Sequence, residues 1–199
     1  MFVRTEKFSD FVKLYPVITT IVAIHIIIYV LQWVPFLPHN WVLQHLTGVN
    51  ILIAEGEYWR LVTPIFVHLG FAHLLFNSFS LVLFGPYLEA LLGRISFFIL
   101  YLTTGIIANM ATYLFKPLIY SHVGASGSIF GLFGIYVALI YLYKDIFPQQ
   151  GRQVVIPIVV LGLVMTFLQP GINITAHVVG LLSGFIIGYI FFKIKPIYR

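Results

Sequence analysis

The chain has 199 residues, of which 60% are hydrophobic and only 9% are charged, and its mean hydropathy is +1.01. An average globular domain carries roughly 25% charged residues, so eleven basic and six acidic side chains cannot cover a soluble fold of this size. The composition argues against a soluble enzyme, a nucleic-acid-binding protein and a disordered chain, and it predicts a membrane protein. The absence of cysteine excludes disulfides, thiolate nucleophiles and cysteine-ligated metals.

Six apolar stretches are candidate membrane spans, since a helix needs roughly 20 residues to cross about 30 Å of hydrocarbon. They cover residues 15–34, 63–87, 96–115, 124–143, 154–168 and 174–192. The first has no small-residue cleavage site, so it is interpreted as a retained helix and not as a signal peptide. The sequence therefore predicts one all-α bundle of six transmembrane helices over residues 15–193, flanked by segments 1–14 and 194–199.

The basic residues are distributed unevenly between the two sides of this predicted bundle. With the N-terminus in the cytoplasm, the outer side receives Arg60 and Lys116, and the cytoplasmic side receives the other nine. These nine are Arg4, Lys7, Lys13, Arg94, Lys144, Arg152, Lys193, Lys195 and Arg199. The positive-inside rule then predicts a multi-pass plasma-membrane protein with both termini in the cytoplasm. The net charge of +5 is explained by orientation, and no nucleic-acid partner is needed to account for it.

The longest connection, residues 35–62, lies outside on this orientation. Apolar and polar residues alternate irregularly along it, and it contains Trp41 and Trp59. Tryptophan is favoured at the membrane interface, so the connection is predicted to lie against the lipid headgroups.

Polar side chains within the spans are costly, and each is a candidate functional group. They are His25, His68, His73, Asn77, Asn109, Ser126, Ser128 and His177. An isolated polar residue can simply hold helices together, and His25 and Asn109 are interpreted in that way.

Three of the other polar residues share a depth in the membrane. Ser126 lies 18 residues before Lys144, which corresponds to roughly 27 Å of helix. His177 lies 16 residues before Lys193, and His73 lies 16 before Glu89, which corresponds to roughly 24 Å in each case. Asn77 follows His73 by one helical turn on the same face. We therefore expect these groups to form one site in the outer part of the membrane.

Glycines indicate how two of the spans could meet. His177, Gly180, Gly184 and Gly188 recur on one face of the sixth span, and the fourth contains the pair Gly127 and Gly131. Such stripes allow close helix packing. Close packing of these two spans would bring Ser126 towards His177.

A serine next to a histidine is suited to nucleophilic catalysis, because histidine can accept the proton of the hydroxyl. None of the six acids lies at this depth on the predicted topology, so the chain offers a Ser126/His177 dyad and not a triad. His73, Asn77 and the backbone N–H of Ser126 could stabilise the oxyanion of a tetrahedral intermediate.

Several of these residues belong to motifs that resemble those of a known family. The chain resembles the rhomboid intramembrane serine proteases over essentially its whole length, and it is similar to their minimal six-span bacterial type. The matching motifs are Trp59-Arg60, His73-Leu-Leu-Phe-Asn77, Glu89-Ala-Leu-Leu-Gly93, Gly124-Ala-Ser126-Gly127 and Ala176-His177-Val-Val-Gly180-Leu-Leu-Ser-Gly184.

The resemblance implies a nucleophile, Ser126, a general base, His177, and an oxyanion hole of His73, Asn77 and the Ser126 amide, with His68 beside a water-filled cavity. It implies single-span membrane proteins as substrates, cut near the outer face, with the fifth helix and outer loops gating access. It implies no metal and no cofactor.

One residue departs from the pattern of the family. Phe130 stands where some bacterial members carry a tyrosine stacked on the catalytic histidine, so the ring is kept and the hydroxyl is lost.

Two alternatives remain open. A metal site or transport path could be built from His68, His73 and His177, although a His-Glu-x-x-His motif is missing. An inactive rhomboid relative could bind membrane proteins without cutting them, although Ser126, His177 and the oxyanion residues are all present.

Overall fold

The computed structural model describes residues 2, 4–34 and 40–197 and is built almost entirely of helices. The α-helices of this described part are α1 (Phe8–Leu14), α2 (Pro16–Leu31), α3 (Trp41–Leu46), α4 (Asn50–Ala54), α5 (Phe71–Leu92), α6 (Arg94–Phe115), α7 (Ser126–Leu142), α8 (Gln149–Leu168) and α9 (Ile174–Ile194). Two short strands, β1 (Gly48–Val49) and β2 (Ser121–His122), pair antiparallel. The predicted all-α membrane bundle is confirmed.

Four helices of the described residues, α5, α6, α8 and α9, are each long and apolar enough to cross a bilayer. Helices α1 and α2 count as a fifth crossing only if they form one span, because they are bent by 110° at the break between them. Helix α7 is apolar but has only 17 residues. The six predicted spans each contain an apolar helix, and the count of six complete crossings stays a prediction.

The second predicted span begins later than expected. Hydropathy placed its start at residue 63, whereas α5 begins at Phe71 and extends to Leu92. Residues Tyr58–Leu61 and Thr63–Phe66 instead form short 3₁₀ turns, and Gly70, with a φ of 80°, precedes the helix. Pro64 and Ile65 are buried in this irregular stretch. Non-helical backbone can persist at membrane depth where protein buries it, so hydropathy alone could not find the start of the helix.

The predicted outer connection and the fifth span also differ from expectation in detail. The connection contains α3, β1 and α4, while residues 35–39 lie outside the described residues, as does Arg199. Helix α8 begins at Gln149 and has 20 residues, so the fifth span is not short. The polar residues Gln149–Gln153 continue the helix beyond its apolar part, which hydropathy cannot detect.

Helix α7 occupies the centre of the bundle and packs most extensively against α9. A Cβ atom on Gly180 would collide with the carbonyl of Gly127, and one on Gly184 would collide with the carbonyl of Gly131. The two helix backbones approach so closely because glycines line the contact on both helices, and no side chain separates them. This packing places the first turn of α7 next to the first turn of α9.

The outward faces of the long helices carry exposed large hydrophobic side chains. Phe76 on α5, Leu114 on α6 and Phe167 on α8 are each more than 60% exposed. Apolar surface of this extent requires lipid or a partner around it. The arrangement agrees with a bundle embedded in a bilayer.

Candidate active site

Ser126 is the first residue of α7, and the backbone before it has a conformation that favours glycine. Gly124 has a φ of 117°, in the region that side chains rarely adopt. Its N–H donates to the Pro64 carbonyl at 2.8 Å, which fixes the approach of the chain to α7. A helix start leaves its first N–H groups without intrahelical acceptors. The N-terminal turn of α7 therefore presents donors beside a half-buried hydroxyl.

His177 lies near the start of α9 and is 8% exposed. Its ring stacks on the ring of Phe130, with a centroid distance of 4.2 Å and an interplanar angle of 16°. Phe130 follows Ser126 by one turn on α7, so this stacking brings the imidazole to the helix face that begins with Ser126. Asn173 caps α9, because its Oδ1 accepts the Ala176 N–H at 3.1 Å.

His73 lies on the other side of the approach to Ser126. A Cβ atom on Gly124 would fall 2.6 Å from Nε2 of His73, so only glycine allows the imidazole to lie against this backbone. Asn77, one turn later on α5, is buried, and its Nδ2 donates to the His73 carbonyl at 2.8 Å. The predicted oxyanion residues thus lie on one face of α5, which points towards the start of α7.

His68 contacts the backbone directly before Ser126. Its Nε2 accepts the Ala125 N–H at 3.4 Å, and its ring centroid is 5.0 Å from that of His73. The ring of His25 on α2 lies 4.6 Å from that of His68. Sequence reasoning assigned His25 to helix packing and missed this contact, since nothing in the spacing connects α2 with residue 68.

Three of the predicted supporting residues lie apart from this cluster. Trp59 donates to the His45 carbonyl at 3.2 Å, and Arg60 donates to the carbonyls of Thr47 and Gln44 at 2.6 and 2.7 Å. These bonds join residues 59–60 to residues 44–47 within the outer connection. Glu89 is 2% exposed and accepts the N–H groups of Val17 and Ile18, each at 3.1 Å, so it caps α2 at the far end of α5.

Among the described residues, no group of three histidine, aspartate or glutamate side chains could hold a metal ion. The Glu57 carboxylate pairs with Arg60, and the Glu89 carboxylate caps α2. His122, in β2, lies outside the spans, and burial lowers its pKa to about 4, so it is neutral at pH 7.

Thr166 on α8 is a polar neighbour of His177 that sequence reasoning missed. Its Oγ1 lies 2.8 Å from Nδ1 of His177 and 2.7 Å from the Gly162 carbonyl. A threonine in an apolar helix usually bonds its own backbone and carries no pattern of its own. Only the three-dimensional structure connects it with the histidine.

Comparison with known proteins identifies the family. The family model described as "Rhomboid domain" matches residues 55–194. The chain belongs to the rhomboid family. A Bacillus subtilis (strain 168) protein named "Putative rhomboid protease YdcA" is 43% identical over 192 residues, which cover 96% of each chain.

Further rhomboid relatives match over less of their own length. "Rhomboid protease GluP" of the same organism is 40% identical over 68% of this chain and 26% of that protein. "Rhomboid-like protease 1" of Toxoplasma gondii is 34% identical over 80% of this chain and 56% of that protein. With its apolar helices, the chain is thus a rhomboid membrane protein of the protease class, as the sequence motifs predicted.

Proposed function

We propose that the chain is an intramembrane serine endopeptidase in which Ser126 is the nucleophile and His177 is the general base. The observation that carries this proposal is the stacking of His177 on Phe130, one turn after Ser126 on α7. The close approach of Gly127 to Gly180 supports it, because it holds the first turns of α7 and α9 together. The family of the chain also supports peptide-bond hydrolysis, because relatives in this family are named as proteases.

In the proposed reaction, Nε2 of His177 takes the proton of the Ser126 hydroxyl as Oγ attacks the carbonyl carbon of the scissile peptide. The carbonyl oxygen becomes an oxyanion, which accepts hydrogen bonds from His73, Asn77 and the Ser126 N–H. The helix N-terminus adds a favourable dipole at the same point. When the carbon–nitrogen bond breaks, imidazolium gives its proton to the leaving amine and leaves an acyl ester on Ser126.

Water then completes the cycle. His177 takes a proton from a water molecule, whose oxygen attacks the ester carbon through a second oxyanion. The ester bond breaks, the proton returns to Ser126, and the carboxylic acid product leaves. The dyad thus ends the cycle in its starting protonation state.

The proposed substrates are single-span membrane proteins cut near the outer face, in a plasma membrane in which both termini of the enzyme are cytoplasmic. The resemblance of the motifs supports this substrate class. The depth shared by His73, Ser126 and His177 supports cleavage in the outer part of the bilayer. Small, helix-breaking residues in the substrate would let its backbone unwind and reach Ser126.

Cleavage by purified protein of a fluorogenic transmembrane substrate tests the proposal. We expect Ser126→Ala and His177→Ala to reduce kcat by more than about 1000-fold, as for other catalytic dyads and triads. Ser128→Ala is the matched control, because the Ser128 hydroxyl packs against Gly105 on α6. We expect this variant to cleave the substrate at the wild-type rate. Cleavage by Ser126→Ala at the wild-type rate would disprove the dyad. A wild-type protein that binds the substrate without cutting it would favour the inactive relative.

A further inference from the structure

The Thr166 hydroxyl lies between two polar groups, and its position limits what it can do. Thr166 is 1% exposed. Its Oγ1 is 2.7 Å from the Gly162 carbonyl, one turn earlier on α8, and 2.8 Å from Nδ1 of His177 on α9. Both distances are those of ordinary hydrogen bonds.

A threonine hydroxyl has one hydrogen to donate and two lone pairs to accept with. A carbonyl can only accept, so the hydrogen of Thr166 goes to Gly162. The hydroxyl must then accept from His177, which requires a proton on Nδ1. In a neutral imidazole the other nitrogen, Nε2, carries the lone pair. The contact with Thr166 therefore selects the tautomer in which Nε2 can act as a base.

We propose that Thr166 is a positioning residue for His177, and that it fixes both the tautomer and the orientation of the base. This inference rests on the proposed function, in which His177 takes the proton of Ser126. A carboxylate usually fills this role in serine hydrolases and also stabilises the imidazolium that forms. Here a neutral hydroxyl sets the tautomer, while the imidazolium keeps its charge and donates a stronger, charge-assisted hydrogen bond to Oγ1.

The ring of Phe130 completes this positioning from another direction. It stacks on the face of the His177 imidazole, whereas Thr166 bonds to the edge of the imidazole. A Cβ atom on Gly162 would lie 3.2 Å from Cζ of Phe130, so α8 also touches the ring that supports the histidine. Stacking alone leaves rotation within the ring plane free. The Thr166 bond removes that freedom, and it does so from α8, outside the α7–α9 pair.

Two substitutions separate the hydroxyl from the shape of the side chain. Thr166→Val keeps the volume and removes the oxygen, and Thr166→Ser keeps the oxygen. We expect Thr166→Val to lower kcat about 10- to 100-fold, the range for loss of a hydrogen bond to a charged group. KM should change little, because the bond strengthens in the transition state. Thr166→Ser should restore most of the activity.

The tautomer can be read directly by ¹⁵N NMR of histidine-labelled protein in micelles, with the His177 signals assigned from a His177→Gln variant. We expect a proton on Nδ1 in the wild type and in Thr166→Ser, and a mixture of tautomers in Thr166→Val. A purely structural role for Thr166 would lower the melting temperature without changing these signals. The wild-type spectrum decides the tautomer even if Thr166→Val does not fold.

Thr104→Val is the matched control. Thr104 is also buried, and its hydroxyl also bonds the carbonyl one turn earlier, that of Leu100 at 2.9 Å. The Thr104→Val variant should keep the wild-type kcat. A proton on Nε2 of His177 in the wild type, full activity of Thr166→Val, or an equal loss in Thr104→Val would overturn the inference. If Ser126→Ala is inactive in the same assay, only this inference fails; if it still cleaves, the proposed dyad fails first.

Discussion

His73 and Gly124 illustrate how single residues shape the candidate site. The His73 imidazole lies against the backbone of Gly124, and a side chain at position 124 would displace the imidazole. The positive φ of Gly124 turns the chain so that Ser126 can begin α7 directly afterwards. Any substitution at Gly124 thus both strains the backbone and moves His73.

The proposed oxyanion role of Asn77 leads to a prediction about activity. Among the described residues, the Asn77 amide bonds only the His73 carbonyl of its own helix, so Nδ2 keeps a second hydrogen available for the oxyanion. We expect Asn77→Ala to lower kcat about 100- to 1000-fold, the usual cost of one oxyanion donor. Steady-state kinetics on the transmembrane substrate measures this.

Asn109 provides the control for that prediction. It is buried on α6, and its Nδ2 donates to the Leu61 carbonyl at 2.9 Å. Asn109→Ala should lower the melting temperature and leave kcat close to the wild-type value. Equal losses of kcat in the two variants would indicate that Asn77 acts through stability and not through the oxyanion.

Sequence reasoning reached some of these residues and not others for a physical reason. Ser126, His73 and His177 are found because helical rise converts residue number into depth, and their depths agree. Thr166 and His25 carry no such signal. Thr166 contacts a partner in another helix, and His25 contacts His68 in the non-helical residues 67–70, which lie within the predicted second span.

At the scale of elements, the α7–α9 contact holds the site together. Its glycines were read correctly from the sequence as a packing face, because their spacing follows the helical repeat. The spacing does not predict which glycines of the two helices contact each other. In the structure Gly180 faces Gly127, and Gly184 faces Gly131.

This contact predicts that Gly184→Ala is severely destabilising. The added methyl group would collide with the Gly131 backbone, which cannot move without separating the helices. Overpacking of a well-packed core typically costs about 1–3 kcal/mol, and a backbone collision lies at or above the top of that range. Unfolding in mixed micelles of detergent and sodium dodecyl sulfate measures the loss, and cleavage should fall with it.

Gly188→Ala tests the same helix with a milder contact. A Cβ atom there would meet the Cα of Ile135 at 3.0 Å and the Cβ of Ala138 at 3.3 Å, which small shifts can relieve. It should lose clearly less stability than Gly184→Ala. Equal effects of the two substitutions would show that the helix pair is looser than the structure indicates.

At the scale of the whole molecule, composition was enough to predict the class of fold, because so few charges cannot solvate a globular surface. It did not fix where the polypeptide bends. The 110° angle between α1 and α2 falls directly before Pro16, and the 3₁₀ turn Thr63–Phe66 interrupts the predicted second span. Glu89 accepts hydrogen bonds from the first turn of α2, a tertiary contact that composition does not reveal.

The distribution of lysine and arginine predicts the orientation of the whole bundle. Nine of the eleven basic residues lie on one side in the six-span topology, and positive residues are retained in the cytoplasm. A reporter that is active only in the cytoplasm should therefore be active when fused after Arg199. The same reporter inserted after Lys116 should be inactive. The reverse pattern would invert the topology and place the proposed site in the inner part of the bilayer.

The most direct test of the central claim, that His177 activates Ser126, is labelling by a serine-reactive fluorophosphonate followed by mass spectrometry. We predict that the wild type and Ser128→Ala carry the adduct on Ser126, and that His177→Ala and Ser126→Ala are labelled at least about 100-fold more slowly. An adduct on Ser126 that forms equally fast in His177→Ala, or one that forms on another serine, would contradict the account.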